Sequence, residues 1–543
     1  MTTGRTCGIL SACAAACALA GGGSGPIQFE DATANSGIHF SHSFGAEKLG
    51  SLLESTGGGC VWFDYNNDGK PDLFVVSGRP LGREMHPYPL RKAPDPPPTN
   101  HLYRNDGNGK FTDVTSAAGV AGDSFSFSAV AADFDNDGYT DLLVTSYGRV
   151  SLYRNKGDGT FEDVTLKAGL DVKGWAINAT WLDYDRDGCV DLFIGRYVKF
   201  DPKYRSYYAA DNYPGPLDYE GETNLLYHNT CKGSFVDVSE KSGIAAYKGR
   251  AMGVTAADFD GDGYPDIYVA NDKTENFLFH NKRDGTFEEI ATEAGAAFGQ
   301  NGESTSAMGP IFLDAENRGA VDLWVSDSKY NRLLRNAGKM SFTDVTQQAG
   351  IAQMTAQYTS WGSGAYDFDN DGWRDIFIFH GGLIHLIPQE HSLFRNVGNG
   401  KFEDVSSAAG AFFQTKTVGR GACFADYDSD GKVDAFLVNL GSAGQLLHNT
   451  TKSAGHWIKV RLVGVKSNRD GIGAVVEVAA GGVKQRAERV AASGYLSQDD
   501  WRLHFGLGTS ARADRITVAW PSGIRQIVEN VPADQVVTIR EKQ

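Results

Sequence analysis

No apolar run in this 543-residue chain approaches the ~20 residues a membrane-spanning helix requires, so no membrane-spanning segment is expected. Basic charge is scarce: 51 Lys and Arg stand against 67 Asp and Glu, a formal net charge of −16. A nucleic-acid face needs the opposite balance to neutralise phosphate, which excludes nucleic acid as a partner. Cysteine is sparse as well. Beyond residue 25 only Cys60, Cys189, Cys231 and Cys423 remain, too few for a disulfide scaffold. Cys60 and Cys423 read as small buried strand residues, whereas Cys189 and Cys231 share one unit and are compatible with either a bridge or a reduced pair. Catalytic signatures are also missing: no HExxH, no GxSxG, no phosphate-cradling glycine loop, no Cys/His zinc spacing.

What the chain has in quantity is aspartate at fixed spacing. A nine-residue loop, Asp-x-(Asp/Asn/Glu)-x-(Asp/Arg)-Gly-x-x-Asp, begins at Asp64, Asp133, Asp183, Asp258, Asp314, Asp367 and Asp426. Carboxylates this crowded repel one another unless a cation sits among them, and calcium takes six to eight oxygens from such mixed sets. Side chains one, three, five and nine converge, the position-seven carbonyl (Tyr264 in the fourth loop) adds a backbone ligand, and glycine at position six permits the turn. An EF-hand would need a bidentate Glu at position twelve. Here that position holds Val75, Val144, Ile194, Val269, Val325, Ile378 and Leu437, so these are calcium loops of β-hairpins.

Five loops carry all four carboxylates: Asp133, Asp135, Asp137, Asp141; Asp183, Asp185, Asp187, Asp191; Asp258, Asp260, Asp262, Asp266; Asp367, Asp369, Asp371, Asp375; and Asp426, Asp428, Asp430, Asp434. The first, Asp64, Asn66, Asp68 and Asp72, substitutes a neutral oxygen. The fifth places Arg318 at a ligand position, where its guanidinium is expected to replace the ion by pairing with Asp314 and Asp322. Six Ca²⁺ sites are therefore expected, with loop five metal-free.

Each loop joins a strand of small residues to a short apolar strand. Two further pieces follow, a Leu-Tyr-Arg-Asn-like strand (residues 102–105, 152–155, 393–396) and a strand opened by Phe111, Phe161, Phe235, Phe287, Phe342 or Phe402. Four strands per unit, seven times, predicts an all-β seven-bladed β-propeller. The last unit stops at its third strand (residues 446–449), and the missing fourth stands at residues 29–33. The N-terminal strand should thus close the seventh blade, leaving no open edge in the ring. From His456 the repeat gives way to alternating strands, a small sandwich-like β domain. Expected boundaries are 1–25 for a leader, 26–455 for the propeller and 456–543 for the tail.

The leader has one charge, Arg5, and an apolar stretch at residues 9–20. Ala18-Leu19-Ala20 fits signal-peptidase cleavage, while Cys13 or Cys17 would serve as a lipid anchor. Export (secreted, periplasmic or cell-surface) is expected on either reading. Insertions at residues 78–100, 196–224 and 380–392 fall at the propeller end opposite the acidic loops. They carry the ligand-face candidates Arg79, His86, Arg196, Tyr204, Tyr207, Tyr208, Tyr213, His380 and His385. Tyr-rich loops suit a carbohydrate or protein ligand. An enzyme pocket at the channel mouth, or a scaffold docking a partner through the tail, are the alternatives.

The loops and strands resemble the FG-GAP/VCBS repeats, including the calcium loops of integrin α-subunits. Ser467-Asn468-Arg469-Asp470-Gly471, Gly494-Tyr495-Leu496-Ser497-Gln498, His504-Phe505-Gly506-Leu507-Gly508 and Trp520-Pro521-Ser522-Gly523 resemble the ASPIC/UnbV domain. Together they resemble the cartilage acidic protein family, which implies a secreted, calcium-binding role of adhesion or matrix type.

Overall fold

The computed structural model describes residues 25–44, 49–80, 98–204, 213–383, 385–452 and 455–543. The leader with Cys13 and Cys17, and the candidates His86, Tyr207 and Tyr208, lie outside the described residues.

Seven four-stranded antiparallel sheets form the blades. Their innermost strands are Cys60–Phe63, Ser126–Ala132, Ala176–Leu182, Ala251–Ala257, Ala307–Leu313, Ser360–Tyr366 and Gly419–Ala425, each packed against the next around the ring and the last against the first. Small residues are needed there because neighbouring backbones nearly touch. A Cβ on Gly253 would stand 2.0 Å from the Met308 carbonyl of the next blade. The N-terminal strand Phe29–Asp31 pairs with Gln445–Asn449 and completes blade 7, as the repeat count required.

Two side-chain devices tie each blade to its predecessor. Except in blade 6, where Phe402 shares a cluster with Ala315, the phenylalanine opening the outer strand packs on the aromatic at loop position two of the blade before, as with Phe161 on Tyr65, Phe235 on Phe134, Phe287 on Tyr184, and Phe29 of blade 7 on Phe368 of blade 6. The third-strand asparagine then donates its amide to the carbonyl of that same position. Asn155 reaches Tyr65, Asn229 reaches Phe134, Asn281 reaches Tyr184, Asn336 reaches Phe259, Asn396 reaches Ala315, Asn449 reaches Phe368, and Asn105 closes the circle on Tyr427. Asn281 also donates to Pro265 O and is buried. Asn281→Ala strands two buried carbonyls, and a loss of about 1–3 kcal/mol is expected in urea unfolding.

The tail has its own core of Ile458, Val460, Val476, Val478, Phe505, Ile516 and Val518 between two sheets. One sheet is Leu503–Gly508, His456–Val463 and Gln535–Arg540; the other is Val483–Glu488, Val475–Ala480, Arg512–Ala519 and Arg525–Pro532. It does not stand apart from the propeller. Residues 491–501 leave it and enter the central channel, hydrogen bonding to inner strands that otherwise present unpaired backbone to the axis. Gly494 N–H donates to Pro310 O, Thr255 donates to Ala492 O, and Gln498 N–H donates to Cys60 O. The Gln498 side-chain amide satisfies both the N–H and the C=O of Ala131. Asp499 accepts from Phe424 N–H and the Tyr366 hydroxyl. At the tip Tyr495, fully buried, meets Trp361 edge to face with ring centroids 4.9 Å apart. The short helix Leu52–Ser55 fills the channel from the other side, its Leu52 and Leu53 sharing one core cluster with Tyr495 and Leu496.

Candidate metal centres and the junction with the tail domain

Each acidic loop links an innermost strand to the second strand of its blade, and all seven share one conformation. In loop one, Asp64 accepts the N–H groups of Asp68 (3.0 Å) and Gly69 (2.8 Å), while buried Asp72 accepts those of Tyr65 and of Asn105 on the third strand. The backbone turns through the left-handed region at position six, always glycine, and also at position four, where Asn67, Asn136, Asn317 and Asn370 stand in four loops and Arg186, Gly261 and Ser429 in the other three. The asparagine at position four is a turn signal that the spacing argument overlooked.

The donor set fits a hard divalent cation. Carboxylate oxygens of Asp133, Asp135 and Asp141 lie within 4.8 Å of one another, as do those of Asp183, Asp185 and Asp187. Asp183 Oδ1 and Asp185 Oδ1 are buried and have no hydrogen-bond partner among the described residues. Burial, reinforced by neighbouring carboxylates, pushes Asp183 up to about 8. Burial likewise takes Asp72 to about 8 and Asp434 to about 7. Groups held this far above the usual carboxylate range ionise together only beside positive charge. Bound there, calcium would be held by side chains one, three, five and nine.

Basic side chains already lean on these loops from the third strand. Arg154 bridges Asp135 (2.5 Å) and Asp137 (2.6 Å), Arg395 bridges Asp369 and Asp371, His280 meets Asp266 at 3.0 Å, and His448 meets Asp434 at 3.1 Å. In loop five Arg318 pairs with Asp322 at 2.7 Å as expected, but its second partner is Glu316 at 2.8 Å and not Asp314. The reason is local: both Asp314 oxygens are occupied by the N–H groups of Arg318 and Gly319. Cys189, within loop three, and Cys231 form a disulfide.

The tail covers this end of the propeller. Strand His456–Val463 alternates: Ile458, Val460 and Leu462 enter the tail core, while Lys459 turns to the Asp426 carboxylate. Burial raises Asp426, yet Lys459 and Arg502 outweigh it and hold the carboxyl below its usual range. Glu488 accepts Asp258 N–H, Asp470 accepts Asp133 N–H, and Arg186 of loop three donates to Pro521 O. These tail residues were absent from the sequence-based site, although the period-two alternation of His456–Val463 marks the outward face that Lys459 occupies.

At the opposite end the ligand-face candidates do not assemble into one site. His380 is fully buried between Ser360 Oγ (3.1 Å) and Ser392 Oγ (3.0 Å) and stacks on Tyr358. Arg196 is held by Glu222 at 2.8 Å and by Thr223. Tyr213 is buried in the channel cluster. Arg79 is half-buried; Tyr204 and His385 are exposed. Burial depresses His380 to about 3, which removes it as an acid or base near neutrality. Its folded value lies below the unfolded ~6.5, so its stabilising contribution is full above that value and drains as pH falls toward 3. About 2 kcal/mol should be lost by pH 5. The difference in urea midpoint between pH 7 and 5 is expected to shrink in His380→Asn.

A closed ring of seven blades, each turning through an acidic loop and capped at that end by a β-sandwich, defines a β-propeller of the FG-GAP class. Residues 64–144, 133–194, 217–269, 258–325 and 314–378 match the FG-GAP-like repeat, and residues 464–543 match the ASPIC and UnbV domain. The chain belongs to the FG-GAP-like repeat family. Among curated relatives it is similar to cartilage acidic protein 1 of Homo sapiens, 26% identical over 330 residues that cover 56% of this chain and 46% of that protein. The same protein of Mus musculus is 25% identical over 330 residues, covering 56% and 47%. The chain spans less than half the length of these relatives. Among solved structures, an Agrocybe aegerita lectin recognising non-reducing terminal N-acetylglucosamine aligns with TM-score 0.39 and 16% identity, covering 71% of this chain and 86% of its own. Rhamnogalacturonan lyase YesW aligns with TM-score 0.34 and 14% identity, covering 90% and 92%. No helix among the described residues is long and apolar enough to cross a membrane.

Proposed function

We propose that this chain is an exported, calcium-stabilised binding module that takes a carbohydrate or protein ligand on the face opposite the acidic loops. The observation that carries the reading is the asymmetry of the two ends. The tail covers much of the acidic-loop end, leaving Tyr139 of loop two 36% exposed there, whereas the other end exposes a larger set of large apolar side chains on its insertions and blade crossings. Tyr204 (41% exposed), Leu217 (65%), Tyr247 (37%), Phe298 (36%) and Ile387 (54%) all belong there. Rigid aromatic side chains on a fixed ring provide contact area at little entropic cost. The Cys189–Cys231 bridge favours an oxidising compartment, in keeping with export.

A glycan array and a panel of extracellular proteins test this in calcium buffer. Binding by the full chain should fall in Tyr204→Ala and Tyr247→Ala, with melting temperature nearly unchanged. Turnover of a small molecule with no retained ligand would favour an enzyme instead. Binding that survives both substitutions would remove this face from consideration.

A further inference from the structure

A cleft lies between acidic loops one and two and the tail, enclosing about 190 Å³. Its walls carry three guanidinium groups, Arg461, Arg469 and Arg489, with Trp501 alongside. Arg489 is only 4% exposed, yet its Nε has no hydrogen-bond partner and it forms no ion pair among the described residues. Its one side-chain bond runs to the carbonyl of its own neighbour, Val490. A guanidinium buried this way is costly unless an anion or ordered polar group meets it. Arg461 likewise lacks an ion pair among the described residues, and Arg469 comes no nearer than 3.9 Å to Asp133.

The carboxylates in the same walls are already engaged. Asp64 and Asp133 are position-one residues, each accepting two loop N–H groups. Asp470 accepts the N–H of Asp133 at 2.7 Å. With cations in loops one and two, the cleft is left with three guanidinium groups against one carboxylate. The side chain of Arg469 is 42% exposed, so the cleft opens to solvent.

We propose that this junction is an anion site for a small carboxylate-bearing molecule, either a free organic acid or a uronic acid sugar, clamped by Arg461, Arg469 and Arg489. Planar guanidinium forks match carboxylates in geometry and charge, and the cleft is larger than one inorganic ion requires. The inference rests on cation-filled loops, and it adds a site distinct from the aromatic face.

The full chain in calcium buffer is titrated calorimetrically with sodium succinate, sodium galacturonate, galactose and sodium sulfate, with calcium content measured in parallel. One or both acids should bind, galactose should not, and sulfate should bind more weakly. Galacturonate alone points to a sugar ligand; both acids alike point to free acids. Arg461→Met, half-exposed and outside the tail core, should weaken binding about tenfold or more at unchanged calcium content. Arg489→Met should do the same if it folds. No binding by a chain that retains its calcium overturns this inference alone. No binding by a chain without calcium removes the metal reading as well. Equal affinity for galactose, tighter binding of sulfate, or an unaffected Arg461→Met would each overturn the carboxylate assignment.

Discussion

EDTA is expected to lower the melting temperature steeply, and added calcium to restore it. An ion that binds only the folded chain stabilises it by about 2.7 kcal/mol at a hundredfold excess over its Kd. Several such sites exceed the whole stability of an ordinary domain, typically ~5–15 kcal/mol. The physical source is the carboxylate crowding itself. Without a cation, Asp183 and Asp72 sit near 8 and must be protonated or repel their neighbours. Basic neighbours such as Arg154 and His448 relieve part of this, so the ring should weaken without dissolving into unconnected blades. Metal analysis should find about six calcium ions per chain, from five complete loops and loop one. Asp260→Ala should lose one ion. Arg318→Ala should lose none, because Arg318 pairs with Glu316 and Asp322 within its own loop. A melting curve indifferent to EDTA would contradict the calcium assignment outright.

Tyr495→Ala should be the most damaging single substitution in the tail, costing about 3–5 kcal/mol, the range for truncating a fully buried large aromatic. Tyr495 is the tip of a segment that binds inner strands all round the channel, and its ring rests on Trp361, which carries the Arg420 guanidinium on its face at 3.9 Å. The cavity cannot collapse, because inner strands already in van der Waals contact surround it. Wild-type protein should melt in one calorimetric transition that includes the tail. In Tyr495→Ala the tail should separate as an earlier transition and become cleavable by protease. Tyr495→Phe keeps the ring and should behave nearly as wild type. Gly309→Ala supplies an independent route to the same outcome: its Cβ would meet Tyr495 N at 2.6 Å and Gly494 C at 2.8 Å. A single transition retained in both Tyr495→Ala and Gly309→Ala would mean that the segment does not couple the domains.

Much of the ring was readable because its signals are local and repeated. Small residues before each loop, apolar residues after it and a phenylalanine at the outer strand each reflect one environment met seven times. Even the closure by Phe29 followed from counting strands. The asparagine of the Leu-Tyr-Arg-Asn pattern was visible but mute: its partner is a carbonyl one blade back, about ninety residues away for Asn155 and more than three hundred for Asn105. His380 entered the ligand-face candidates because sequence reports its chemistry but not its burial. Lys459 and Arg461 drew no attention because a basic residue on an alternating strand ordinarily faces water.

Sequence alone determined the number of blades, the acidic loops and the strand that closes the ring. The first two rest on patterns local to each repeat, and the third on the count of strands, although Phe29–Asp31 pairs with Gln445–Asn449 at the far end of the propeller sequence. Tertiary structure alone decided that the tail caps the loop end, that residues 491–501 occupy the channel, and that Arg461, Arg469 and Arg489 meet at the junction. Those outcomes depend on surfaces from distant parts of the chain matching in shape and charge, and no local pattern encodes which surface will meet which.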